Sequence, residues 1–223
     1  PSSFSDKKGF ALAVLSIVKE KSIPLVMPAV ESSVIALNEH REEFQDDVTL
    51  ALPRPESLRL ALDKRLTLKL AGRLNIPIPR SCEPCSLEDA LEFAKEAGYP
   101  LVIKPPGMAN LEGVQITQPF KVDYALDSRE LKEKISLLIQ RGDTPLLQEY
   151  CPGGKVNQGA FFAQQKLWGL YQYKGLREYP LTGGVTSVHV STAPDDQMRQ
   201  WTASLLEAME WDGPVMVEYR VDE

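Results

Sequence analysis

The segment GYPLVIKPP, residues 98–106, constrains the fold more than any other. Leu101, Val102 and Ile103 form an apolar run behind a glycine stop, the pattern of a buried strand. Lys104 ends that run. Pro105 and Pro106 then forbid further ladder bonds, because proline has no N–H to donate. The chain therefore presents one lysine at the end of a buried strand, before an irregular loop, where it can meet a phosphate. Taken alone, a solvated lysine at a strand end is the plainer reading.

A second stretch, PLLQEYCPGG over 145–154, repeats the design. Another apolar strand ends at Glu149, an extended Tyr-Cys-Pro step follows, and two glycines release the backbone. A helical pattern separates the two stretches. Together, PLVIKP and LLQEYCPGG resemble the nucleotide site of the ATP-grasp superfamily. The resemblance implies two sheets closing on ATP, one offering a lysine to the phosphates, the other a hinge whose backbone reads adenine.

The 223 residues suffice for one large or two ordinary domains. Apolar residues make up 43% and charged residues 25%, which argues against disorder. A net charge of -6 argues against a nucleic-acid footprint, which is usually a basic face. The 3 cysteines include Cys82 and Cys85 in CEPC. No second C-x-x-C accompanies them, and His40 and His189 lie far apart, so CEPC reads as loop thiols in a reducing cytosol. That predicts a cytoplasmic protein. No apolar run approaches the roughly 20 residues needed to span a membrane.

Along the chain, Ser5 or Asp6 caps a first helix with Phe10, Val14, Ile17 and Val18 at helical spacing. A strand over 23–29, a helix over 31–44 and a strand over 48–52 follow. This alternation predicts a parallel, helix-covered sheet. Pro53-Arg54-Pro55 marks a boundary. Beyond it come a short helix over 56–62 and a second capped by Asp63, with Leu66, Leu70 and Leu74 on one side. Ser86 with Asp89 approximates a capping box for a helix through Ala97. Asp127 with Glu130 makes a true one for a helix stopped by Gly142. A strand is expected over 114–122. The last third reads as a hairpin over 159–175, a strand over 185–192, a helix from Asp195 with Met198, Trp201, Leu205 and Met209 inward, and a strand over 215–223. In that strand Met216, Glu218 and Arg220 share one face.

The element order predicts an α/β fold class, and the resemblance implies the α+β grasp kind. The resemblance implies a partial pre-ATP-grasp parallel α/β domain over 1–52 and an ATP-grasp core of two α+β subdomains over 53–223. Its lid would run from about 86 to 150 and its incomplete C-terminal subdomain from 151 to 223. The resemblance also implies that the chain is cut short at both ends, with a second acid and an asparagine expected after Glu223.

Lys64 sits in the first turn of its helix, where a cation is unfavourable against the helix dipole by a few tenths of a kcal/mol. That hints at a task, although a solvated lysine fits equally well. By resemblance, Lys64 and Lys104 both contact phosphate. Glu149 and Tyr150 lie at the hinge. Glu149 is placed to accept the adenine amino group, and the Cys151 N–H to donate to a ring nitrogen. A surface carboxylate is the alternative for Glu149. Family members often place an acid soon after the hinge to hold the ribose; here Lys155, Val156 and Asn157 stand there. The loop over 107–113 is poorer in glycine than a usual phosphate-covering loop. Arg177 lies in KGLREYPLTGGVTS, which resembles a run in ATP-grasp proteins related to carbamoyl-phosphate synthetase. It is the candidate to stabilise an acyl phosphate, with Lys174 as a weaker one and a pair with Glu178 as the alternative. Glu218 is by resemblance a magnesium ligand, or else an ion-pair partner of Arg220.

The resemblance implies an ATP- and Mg²⁺-dependent ligase that activates a carboxylate as an acyl phosphate for attack by an amine or similar nucleophile. The alternative is a non-catalytic ATP-binding regulatory module; an ordinary doubly wound domain without an ATP site is a third reading. The expected partners are a small carboxylate and a small amine, with a homodimer as the default assembly.

Overall fold

The computed structural model describes residues 1–44, 48–104, 122–179 and 185–222. The first helix, α1 (Lys7–Lys21), is capped by Asp6, whose carboxylate accepts the Gly9 N–H at 2.9 Å. Its buried face is Ala11, Leu15 and Val18, with Ile17 turned to solvent. Strand β1 (Leu25–Val26), helix α2 (Glu31–Glu39), a 3₁₀ turn at Arg41–Phe44 and strand β2 (Thr49–Leu50) follow. β1 and β2 pair in parallel, as the alternation predicts. They are only two residues each, because Pro24 and Pro28 flank β1 and leave no N–H to extend the ladder. Leu15, Leu37 and Phe44 centre a small core against them.

Helices α3 (Pro55–Leu62) and α4 (Lys64–Arg73) come next, and the buried Asp63 between them caps α4. Its carboxylate accepts the Arg65 N–H at 2.9 Å and pairs with the Arg65 guanidinium at 2.8 Å. The guanidinium hydrogen bond, opposed by burial, leaves the Asp63 carboxyl below the usual carboxylate range.

A four-stranded sheet follows, built from β3 (Ser81–Cys82), β4 (Leu101–Lys104), β5 (Asp123–Ala125) and β6 (Leu146–Glu149) in the order β3-β6-β4-β5. Its pairings are antiparallel. Helices α5 (Leu87–Ala97) and α6 (Ser128–Gln140) cover one face, where Leu101, Ile103, Leu131, Ile135 and Leu147 are fully buried. The two caps reverse their expected quality. Ser86 and Asp89 close both arms of a capping box, whereas Glu130 reaches past Asp127 to the Leu126 N–H. Asp89 accepts from both the Ser86 and the Cys85 N–H, at 3.0 Å each. The loop expected over 107–113 and the strand expected over 114–122 lie outside the described residues, apart from Val122, which precedes β5.

The second four-stranded sheet contains β7 (Gly154–Ala163), β8 (Lys166–Tyr179), β9 (Val185–Thr192) and β10 (Gly213–Val221), in the order β10-β7-β8-β9. Gln164 and Gln165 both take positive φ, 52° and 56°, as a tight two-residue hairpin requires. Helix α7 (Asp196–Ala208) packs on one face of this sheet, where Phe162, Leu205 and Leu206 join Leu58, Ala71 and Ile76 in one core. A buried polar chain runs through the same interface. Thr202 donates to Gln158 Oε1 at 2.6 Å, Gln158 donates to Gln172 Oε1 at 2.7 Å, and Gln172 donates to the Ala193 carbonyl at 3.0 Å. The result is a mixed α+β fold. Among the described residues no helix is long and apolar enough to cross a membrane.

Candidate functional site

Strand pleat decides what each sheet offers. In the first sheet Leu101 and Ile103 point into the helix-covered core, so Val102 and Lys104 point the other way. Tyr124 and Gln148 lie opposite Val102 and share its face. Glu149 falls on the opposite parity, with Leu147. Its carboxylate accepts the Arg80 N–H at 2.8 Å and pairs with the Arg80 guanidinium at 2.7 Å. Burial raises this carboxyl, but the Arg80 hydrogen bonds and charge outweigh it and hold it below its usual range.

The second sheet buries its α7 side and presents charge on the other. Glu218 lies opposite Asn157, which lies opposite Tyr173; Arg220 lies opposite Lys155. The Lys155 ammonium stands 3.6 Å from Glu218 and 3.8 Å from Glu178. Arg220 pairs with Glu178 at 3.5 Å and donates to the Gly153 carbonyl at 3.0 Å. Gly175 makes room for this arrangement, since a Cβ there would stand 3.0 Å from Thr186 and 3.6 Å from the Lys155 stem. A cavity of about 230 Å³ opens on this face, lined by Lys155, Asn157, Tyr173, His189 and Glu218 among others. The Asn157 amide oxygen is buried there with no hydrogen-bond partner among the described residues.

The two faces meet. Burial, and then the neighbouring Lys64 ammonium, hold the half-buried Lys104 below the usual lysine range. Glu218 and Cys151 act on it in the opposite sense, and Arg220 in the same sense as Lys64. Tyr124 in turn feels Arg220 and Glu178 from across the gap. Lys64, Lys104, Cys151 and Glu218, far apart in sequence, therefore share one electrostatic neighbourhood. Tyr150 sits at its edge, its ring edge-on to Tyr124 with centroids 6.3 Å apart. Burial, and then Glu149, raise the Cys151 thiol.

Two sequence expectations need correction. The Glu149 carboxylate does not face this cleft, because the two-residue period of β6 turns it to Arg80. Arg177 stays exposed and outside the cluster, and it does not pair with Glu178. The cause is an irregularity in β8: the pairing with β9 shifts at Gly175/Arg177 and again at Arg177/Glu178. A regular strand would set Arg177 on the face of Gly175; the bulge puts Glu178 there instead. The proposed Glu218–Arg220 pair is replaced by crossed pairs with Lys155 and Glu178.

Sequence reasoning missed Tyr124, Lys155, Glu178 and Arg220 as cleft residues. Alternation along β10 was signal enough to pair Arg220 with Glu218 on one face, but nothing local announced the bulge. For a cation, Glu218 is the carboxylate at hand. Among the described residues no group of three or more His, Cys, Asp or Glu could hold a metal. This donor set fits a magnesium ion that arrives already held by phosphate oxygens, since such an ion needs one or two carboxylates.

Solved structures with a similar fold include a biotin carboxylase from Campylobacter jejuni in complex with βγ-ATP. It aligns with all of the chain (100%) and 51% of its own at a TM-score of 0.73, with 15% identity. D-alanine–D-alanine ligase from Bacillus anthracis aligns with 94% of the chain and 69% of its own at a TM-score of 0.61, with 14% identity. The chain has an ATP-grasp fold. Its sequence relatives are carbamoyl phosphate synthase large chains. The C-terminal section from Methanocaldococcus jannaschii is 25% identical over 178 residues, 76% of this chain and 27% of that protein. The large chain from Clostridium perfringens is 30% identical over 133 residues, 59% of this chain and 10% of that protein. The chain thus spans at most about a quarter of the length of these relatives. No protein-family model matches it.

Proposed function

We propose that the chain binds ATP with Mg²⁺ between its two four-stranded sheets and activates a carboxylate as an acyl phosphate for attack by an amine. The observation that carries this reading is the convergence of Lys64, Lys104, Lys155 and Arg220 on one cleft, where Glu178 and Glu218 pair with Lys155 and Arg220. In a chain of net charge -6, that local excess of cations suits an anionic ligand. The likeness to carbamoyl phosphate synthase large chains, and the fold shared with a biotin carboxylase and a D-alanine–D-alanine ligase, support the ligase class.

In this reading the triphosphate restores to Lys104 the counter-charge that burial denies it, and Lys64 adds a second point charge. Glu149 meets the adenine amino group through its backbone carbonyl, since Arg80 holds its carboxylate. The Cys151 N–H donates to a ring nitrogen, and Tyr124 and Tyr150 flank the base. Glu218 would hold the magnesium, which would supply charge to neutralise that developing on the phosphate oxygens. A carboxylate oxygen of the substrate attacks the γ-phosphorus and ADP leaves. The amine nitrogen then attacks the acyl carbon, the C–O bond to phosphate breaks, and the nitrogen loses its proton. Arg220 takes the charge-stabilising part expected of Arg177. The division at residue 52 and a lid over about 86–150 belong to the same proposal. Three free thiols, Cys82, Cys85 and Cys151, suit a reducing compartment such as the cytoplasm.

Hydroxylamine trapping tests the reaction. With ATP, Mg²⁺ and a panel of small carboxylates, the productive acid should release ADP and yield its hydroxamate in equal amounts. ADP release without hydroxamate would rule out an acyl phosphate. Nucleotide binding with no carboxylate-dependent ADP release would favour the regulatory module.

A further inference from the structure

The cleft carries a cation of its own at the place where a metal is wanted. Lys155 is 8% exposed, and its ammonium sits between the carboxylates of Glu178 and Glu218 at 3.8 and 3.6 Å. Of the two acids, Glu178 has the less exposed side chain, 17% against 45%, and Arg220 also holds it. Among the described residues Lys155 is the ion-pair partner of Glu218, with Lys104 acting on it from further away. The Lys155 stem lies against Gly175 and faces Arg220 across the ladder, which fixes where the ammonium can reach.

We propose that Lys155 is a built-in competitor of the divalent cation, holding Glu218 until nucleotide and metal arrive together. This rests on the nucleotide reading above and adds an order of events to it. Without nucleotide, a metal ion must displace an ammonium from its carboxylate and gains one ligand in return, so free metal binds poorly. A triphosphate entering beside Lys104 offers oxygens that draw the Lys155 ammonium away from Glu218. The same phosphates bring the metal, and Glu218 changes partner. Lys155 is a positioning residue in this scheme: it acts on the metal through Glu218. Removing its charge should therefore change metal affinity and the coupling between metal and nucleotide, which a merely structural lysine would leave alone.

Mn²⁺ titration followed by electron paramagnetic resonance reads both quantities, with a non-hydrolysable ATP analogue absent or present. Without analogue, Lys155→Met and Lys155→Gln should bind Mn²⁺ about five-fold more tightly than wild type, the scale of one partly exposed ion pair. Lys155→Arg should behave as wild type. With analogue, the gain in Mn²⁺ affinity should be smaller in both neutral variants than in wild type. Two neutral variants guard against one failing to fold, and circular dichroism checks each. Neutral variants that fold normally and bind Mn²⁺ no more tightly than wild type overturn the proposal. The arm without analogue reads the competition directly, so wild type that ignores the analogue would defeat the nucleotide reading by a separate signal.

Discussion

The two four-stranded sheets face one cleft but are built on different principles. In the first, β4 and β6 have 4 residues each, and their inner residues are buried on both faces. What it gives the cleft stands at its strand ends, with Lys104 after Ile103 and the hinge after Gln148. In the second, β7 and β8 run to 10 and 14 residues, and the face away from α7 gathers Lys155 and Glu178 beside Glu218 and Arg220 of β10. That sheet gives the cleft a row of side chains rather than an end. A short apolar strand can place one charged group with little ambiguity. A long strand can place several, but only if its register holds, and the bulge in β8 shows how one irregularity exchanges Arg177 for Glu178.

The difference extends to stability, and paired variants would break the contrast if it is wrong. Ile103 is fully buried among apolar neighbours, so Ile103→Ala should cost about 3 kcal/mol from lost burial and a cavity. Gln158→Leu keeps volume but removes the bonds to Thr202 and Gln172, which retain Tyr219 and the Asp195 N–H as partners. It should cost about 1 kcal/mol through the two lost hydrogen bonds. Urea unfolding of both measures this. A neutral outcome for Gln158→Leu would mean that the second sheet, like the first, is held by apolar packing alone.

A smaller effect sharpens the contrast through pH. Lys104 titrates below the ordinary lysine value in the free protein, and a bound triphosphate would favour its charged form. Binding then takes up a proton on the alkaline side, and affinity falls as pH rises through the depressed value of the free protein. Across about pH 7 to 10 the dissociation constant of an ATP analogue should rise several-fold for wild type and less for Lys104→Arg, whose charge persists. Equal slopes would remove Lys104 from the phosphate contact.

Much of this was legible in the sequence where local chemistry decides it. Asp6, Asp63, Ser86, Asp127 and Asp195 all cap the helices they precede. The Pro-Pro stop after Lys104 and the alternation around Glu218 placed those two residues. Features set by distant partners were hidden. Arg80 captures the Glu149 carboxylate from 69 positions away. The Gln158–Gln172–Thr202 chain exists only once α7 lies on the sheet. Lys155 reads as a surface lysine until Glu178 and Glu218 stand beside it.

Calorimetric titration of the chain with a non-hydrolysable ATP analogue and Mg²⁺, beside Lys104→Ala, tests the cleft most directly. The account predicts micromolar binding by wild type, on the order of 8 kcal/mol, and at least a ten-fold loss in the variant. Equal affinity in a folded Lys104→Ala, or no binding by wild type, would contradict it.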